Sequence, residues 1–240
     1  MFNLFRKSKD IEEDGKWTID RQEEETKAVP DIKRTKICIL TGNEKSDYLY
    51  FLVKLGLAAG KKILVVDNSF EHGFFELIKD ESGSAIRNRD GLVVCADYRV
   101  DKSGTDLFDN VFVWLGHNYK GAADYIPDCT IYIATQVKYD ISCVKNAASY
   151  IDSGETAFIL RDVCTKKITA QSAKSMIGIT SEYTYSVPLD AGDMAAYIAL
   201  THNGTAPFRQ LSNGIYGLMV DMGEIIYELN ERQCKRLMKG

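Results

Sequence analysis

Lys36-Ile-Cys-Ile-Leu-Thr-Gly-Asn-Glu-Lys-Ser46, a long apolar run, and then Lys62-Ile-Leu-Val-Val-Asp67 read as buried strand, tight turn, helix and second buried strand. Residues 37–40 and 63–66 are short and wholly apolar, as strands covered on both faces are. Residues 46–59 carry Tyr48, Leu49, Phe51, Leu52, Val53, Leu55, Leu57 and Ala58. That is too many apolar side chains for an alternating strand, and the run is long enough for a well-buried helix. Ser46 or Asp47 suits its start and Gly60 its stop. In an α/β domain that opens this way, the turn after the first strand is where an anion sits against backbone amides. Here Gly42, Lys45 and Ser46 are suited to that task, and their neighbours are not.

The alternation continues. Strands are expected at 92–95, 111–115, 130–134, 157–160 and 183–187. Helices are expected at 138–152, 165–177, 191–200 and 213–229, with a short helix or turn at 70–78. Short apolar strands separated by helices imply a three-layer α/β fold, a mostly parallel sheet with helices on both faces. Ligands of such sheets sit beyond the carboxyl ends of the strands. Residues 41–46, 67–70, 115–118 and 135–137 therefore form one candidate rim.

Residues 1–35 differ: polar and charged, with Glu23-Glu-Glu25 and Pro30, they read as a flexible N-terminal arm ahead of a domain at 36–240. Phe2, Leu4 and Phe5 beside Arg6, Lys7 and Lys9 make a short amphipathic patch that suits a membrane surface or a partner. The plainer alternative is a disordered end with stray aromatics.

A chain of 240 residues with 45% apolar content suits one domain and an appendage. A net charge of −4 leaves no electrostatic footprint for nucleic acid, and none is expected as a specific partner. No apolar run reaches the ~18 residues of a membrane span, and the start is not a secretory signal. The six cysteines form no Cys-x-x-Cys pair, so neither a metal knuckle nor a disulfide framework is expected. Buried thiols in a reducing cytoplasm account for them, with the inner membrane face as a second location if the aromatic first turn docks there.

Aligned on Lys45-Ser46, this order of elements resembles the MinD/ParA family of P-loop ATPases, which includes the CpaE-like proteins of pilus assembly. The family's loop runs Lys-Gly-Gly-x-Gly-Lys-Ser/Thr, and here it is Leu40-Thr-Gly-Asn-Glu-Lys-Ser46. Gly42, Lys45 and Ser46 match. Leu40 stands at the signature lysine, which in the family reaches across a nucleotide-sandwich dimer. Thr41 and Glu44 stand at glycines. Glu44 brings a Cβ and a negative charge to a place where amides should converge on phosphate. At an effective dielectric near 20, a like-charge pair at ~4 Å costs roughly 4 kcal/mol. Lys45 offsets part of this by binding phosphate or by pairing with Glu44.

The family's second strand ends in Asp-x-Asp, here Asp67-Asn-Ser69, so one carboxylate of two remains. Its metal-associated aspartate falls at Trp114 in Phe108-Asp-Asn-Val-Phe-Val-Trp114, and an indole cannot anchor a hydrated hard cation. Arg161-Asp162 replaces the asparagine of the base-reading loop, and Val187-Pro-Leu-Asp190 keeps the family's last signature.

The resemblance thus implies a retained fold with altered ATPase groups. It yields no catalytic and no metal residue; Gly42, Lys45, Ser46 and Asp67 are the residual nucleotide-binding set. No cofactor is expected, ATP with magnesium being disfavoured. Two functions follow. One is a non-catalytic protein acting through protein partners or a homodimer, in the placement or assembly of a pilus, secretion or other envelope machine. The other is a slow ATPase or ATP-gated dimerisation switch. Plainer roles compete at each residue: Lys45-Ser46 as a solvated helix start, Asp67 as a cap for the next turn, His72 and His117 as structural histidines, and Trp114 as space-filling.

Overall fold

The computed structural model describes residues 35–78, 86–97, 105–151 and 154–239. The expected arm, with Phe2, Leu4 and Phe5, lies outside the described residues. The strands are β1 (Lys36–Thr41), β2 (Ile63–Asp67), β3 (Ile86–Arg89), β4 (Leu92–Ala96), β5 (Asn110–Gly116), β6 (Cys129–Ala134), β7 (Glu155–Val163) and β8 (Tyr183–Pro188). They form one sheet in the order β3-β4-β2-β5-β1-β6-β7-β8. Every pairing is parallel except β3 with β4. The helices are α1 (Asp47–Ala58), α2 (Gly73–Leu77), α3 (Lys138–Ala148), α4 (Ala170–Ile177), α5 (Ala191–Asn203), α6 (Asn213–Tyr227) and α7 (Glu231–Leu237). The expected three-layer α/β architecture is the observed one.

Period-two alternation divides the strands' side chains between two cores. Cys38, Leu40, Ile63, Val65, Phe112, Trp114, Ile131 and Ile159 face the layer that holds α1, α2, α6 and α7. Ile39, Val66, Val113, Tyr132 and Phe158 face α3, α4 and the 3₁₀ turn at Tyr119–Asp124. Helix α1 is buried nearly all round, from Tyr48 through Leu55, because it lies between the sheet and α6. Gly60, at φ +74°, ends it.

Several elements differ from expectation. Strand β3 was not foreseen; Asp90 and Gly91, both at positive φ, turn it back antiparallel onto β4, and Asp-Gly between strands is a hairpin signal. Helix α4 begins at Ala170 rather than 165, because Thr169 and Ser172 form a capping box. Helix α3 stops at Ala148. The expected helix at 213–229 breaks after Tyr227, with Glu228 left-handed and Asn230 capping α7.

The β2–α1–α6 contact has little slack. A Cβ on Gly56 would lie 2.6 Å from both Ile63 Cδ1 and the Tyr227 hydroxyl. That hydroxyl donates to the Leu52 carbonyl at 2.7 Å, which holds the ring against α1. Gly56→Ala is therefore expected to lower the urea midpoint. The overpacking cost of about 1–3 kcal/mol outweighs alanine's helix-propensity gain of about 1 kcal/mol. An unchanged or raised midpoint would contradict this packing.

Candidate functional site

The carboxyl ends of β2, β5, β1, β6 and β7 lie side by side, so the expected rim segments converge. At its centre Gly42 donates its N–H to the Gly116 carbonyl at 2.7 Å, which draws the β1–α1 loop onto the end of β5. Gly42 has φ +104°, and a Cβ there would lie 2.2 Å from a Val144 methyl and 2.5 Å from the Ile133 carbonyl oxygen. Only glycine fits this place.

Glu44 turns inward. Its carboxylate accepts the His117 backbone N–H at 2.6 Å, with the His117 Nδ1 at 3.4 Å from the same oxygen. It fills the space where a side chain on Gly116 would be, with Oε2 2.4 Å from that ideal Cβ position. Oε2 has no hydrogen-bond partner among the described residues. Burial pushes the Glu44 carboxyl up, against the opposing pull of the His117 amide and ring.

His117 also reaches α3: its Nε2 lies 3.3 Å from Asp140 Oδ1. Asp140 Oδ2 accepts from Asn43 Nδ2 at 2.9 Å and from the Thr135 hydroxyl at 2.8 Å. Burial alone would raise the Asp140 carboxyl, but the bonds from His117, Thr135 and Asn43 hold it below its ordinary value. The bond to Asp140 raises His117, outweighing desolvation, and Glu44 adds to the rise. Asn43 in turn accepts the Lys45 backbone N–H at 2.9 Å.

Lys45 was expected to meet phosphate or Glu44. In this structure its Nζ donates to Asp162 Oδ2 at 2.7 Å, so the Glu44 pairing is corrected: Glu44 turns to His117 while Lys45 reaches the end of β7. Ser46 is buried as the N-cap residue of α1, but its side chain makes no capping bond. The next residue, Asp47, carries the most buried ion pair of the site. Arg161 donates to it bidentately at 2.6 and 2.7 Å, both side chains are almost wholly buried, and the guanidinium stacks over the Tyr48 ring at 4.3 Å. Burial opposes the Arg161 charge, and Asp47 more than restores it.

Asp67 does the work of a cap. Oδ1 accepts from the Ser69 N–H and hydroxyl at 3.1 and 2.6 Å, and Oδ2 from the Phe74 and Phe75 N–H groups at 2.9 Å each. Trp114, the register neighbour of both Leu40 and Asp67, is wholly buried; its indole N–H has no partner among the described residues. Its packing fits space-filling and leaves no surface for an interface. His72 bonds the Asp67 carbonyl and faces Asp97 at 3.2 Å. Sequence reasoning missed Asp140 and the Asp47–Arg161 pair. The latter spans 114 residues, and no local pattern marks such a contact.

The fold is shared with solved structures. A ParA family ATPase from Chlorobium tepidum TLS is 12% identical, with a TM-score of 0.50 over 78% of this chain and 98% of that one. The MinC:MinD cell division protein complex of Aquifex aeolicus is 13% identical, TM-score 0.50, over 86% and 97%. A plasmid partition protein of Borrelia burgdorferi B31, bound to AMPPNP, is 14% identical, TM-score 0.50, over 81% and 99%. At these identities the likeness is one of fold. No family model matches the chain, and no curated protein matches it in sequence.

The two ion pairs of the loop are expected to differ in weight. Asp47→Ala strands a buried guanidinium and is expected to cost about 3–5 kcal/mol. Lys45→Ala breaks a partly exposed pair and is expected to cost about 1 kcal/mol or less. Chemical denaturation of both variants checks this, and equal losses would contradict it.

Proposed function

We propose that this chain is a non-catalytic protein of the MinD/ParA-like fold that acts by binding other proteins. The observation that carries this reading is the inward Glu44 carboxylate on the His117 amide, with Lys45 engaged by Asp162. A nucleoside triphosphate with its magnesium does not fit these residues. Its phosphates would meet a like charge at the loop. To neutralise them, Lys45 would have to leave Asp162. To accept from a metal-bound water, Asp67 would have to give up one of the bonds from the four donors that fill its carboxylate. Trp114 offers no oxygen. Phosphoryl transfer depends on positioning and charge neutralisation by such groups, so efficient hydrolysis is not expected.

The same rim supports protein recognition. Phe70 past β2, Val137 and Tyr139 at the start of α3, Leu189 past β8, and Met194 and Ile198 on α5 are all exposed. Exposed apolar side chains of this size are suited to contact with a partner. By resemblance to CpaE-like proteins, the partner in this proposal belongs to a pilus, secretion or other envelope machine, met in the cytoplasm or at the inner face of the membrane. Among the described residues no helix is long and apolar enough to cross a membrane. The rival ATP-gated switch draws on Gly42, whose positive φ keeps part of the loop's shape.

Isothermal calorimetry of the full chain with Mg-ATP and Mg-ADP separates the two. The expected result is no binding heat at millimolar nucleotide, together with no phosphate release. Micromolar binding with turnover would overturn the proposal.

A further inference from the structure

The bridge Glu44–His117–Asp140 joins three separate elements. Glu44 belongs to the β1–α1 loop, His117 follows β5, and Asp140 lies in the first turn of α3. One imidazole sits between two carboxylates, with Nδ1 3.4 Å from Glu44 Oε1 and Nε2 3.3 Å from Asp140 Oδ1. An imidazolium donates from both nitrogens, but a neutral ring donates from only one. Asp140 has further donors in Asn43 and Thr135, whereas among the described residues Glu44 accepts a hydrogen bond from the His117 amide alone, the ring Nδ1 standing at ion-pair distance, and its second oxygen has no partner there. In the neutral state the ring proton therefore goes to the Asp140 side, and a bare nitrogen lone pair faces Glu44.

We propose that this bridge is a proton-operated latch: the charged imidazole holds the β1–α1 loop closed over the end of β5, and loss of its proton frees the Glu44 side chain. The charged and titratable groups around it drive it in that direction. Asp140 and the Tyr139 ring, at 5.0 Å, face His117 from α3. Glu71 from the β2–α2 loop and Asp67 at the end of β2 act on Glu44, and Glu71 acts on His117 as well. Glu71 and Asp67 are acidic, so the Glu44 charge is held first by the His117 amide and then by the charge of the imidazolium beside it.

The sign follows from His117 lying above the ordinary imidazole value of 6.5. The stabilisation from the bridge is full below that value and is lost as pH rises through the raised one. The inference does not depend on whether any nucleotide binds, because the bridge consists of protein groups alone.

Hydrogen exchange of the full chain, corrected for the intrinsic pH dependence, reads the latch directly. Between about pH 6 and about pH 9, protection of segment 42–47 is expected to fall while β7 stays protected. In His117→Gln the segment is expected to lose this pH dependence. A histidine NMR titration of the unsubstituted chain, which has three histidines, gives a second measure. His117 is expected to titrate above 6.5, with the amides of 42–47 moving at the same midpoint. Loop protection that does not change with pH, the same dependence in His117→Gln, or loop amides that ignore the His117 midpoint would each overturn the latch.

Discussion

The ends of β1 and β5 meet without room for a side chain, and the rest of the site follows from that. The Gly42 N–H reaches the Gly116 carbonyl at 2.7 Å, and both glycines have positive φ. A Cβ at either position would collide, at Gly42 with Val144 and Ile133 and at Gly116 with Glu44. The loop is thereby pulled down onto the sheet, and its three following side chains have fixed destinations. Asn43 goes to Asp140, Glu44 to His117 and Lys45 to Asp162. Here the anion beside the loop is the protein's own carboxylate.

That arrangement resolves a problem of charge. Glu44, Asp67 and Asp140 crowd one rim, and each is supplied with donors from the chain itself: the His117 amide, the amides at the start of α2, and Thr135 with Asn43. Buried carboxylates are tolerated only when they are bonded in this way. One layer deeper, Asp47 and Arg161 pair bidentately beneath the first turn of α1 and tie it to the end of β7. The cations of the site are thus committed to internal partners, so an incoming phosphate would compete with bonds already made.

Much of the fold was legible because parallel strands buried on both faces must be continuously apolar. Residues 37–40, 63–66 and 130–134 could scarcely be anything else, and the glycine after α1 ended that helix as expected. Strand β3 was not legible by the same rule. Ile86-Arg-Asn-Arg89 is mostly polar because it lies at the sheet's edge, and its signal was the Asp90-Gly91 turn instead. At the site, Gly42 and the capping role of Asp67 could be read locally, since a positive φ and an Asx-type cap are short-range events. Lys45 could not: Asp162 is 117 residues away, and burial of Arg161 against Asp47 is what brings that strand end within reach. The space-filling role of Trp114 was legible from its place on the apolar strand 111–115, and the side chain is wholly buried.

The central proposal is that the chain's own carboxylate stands where a phosphate would otherwise meet this loop. The most direct measurement is a crystal structure grown with magnesium and a non-hydrolysable ATP analogue at millimolar concentration. The account predicts Glu44 still on the His117 amide, Lys45 still on Asp162, and no triphosphate density at 42–46. A triphosphate seated across those residues, with the Lys45 ammonium on its phosphates and Glu44 turned out to solvent, would contradict it.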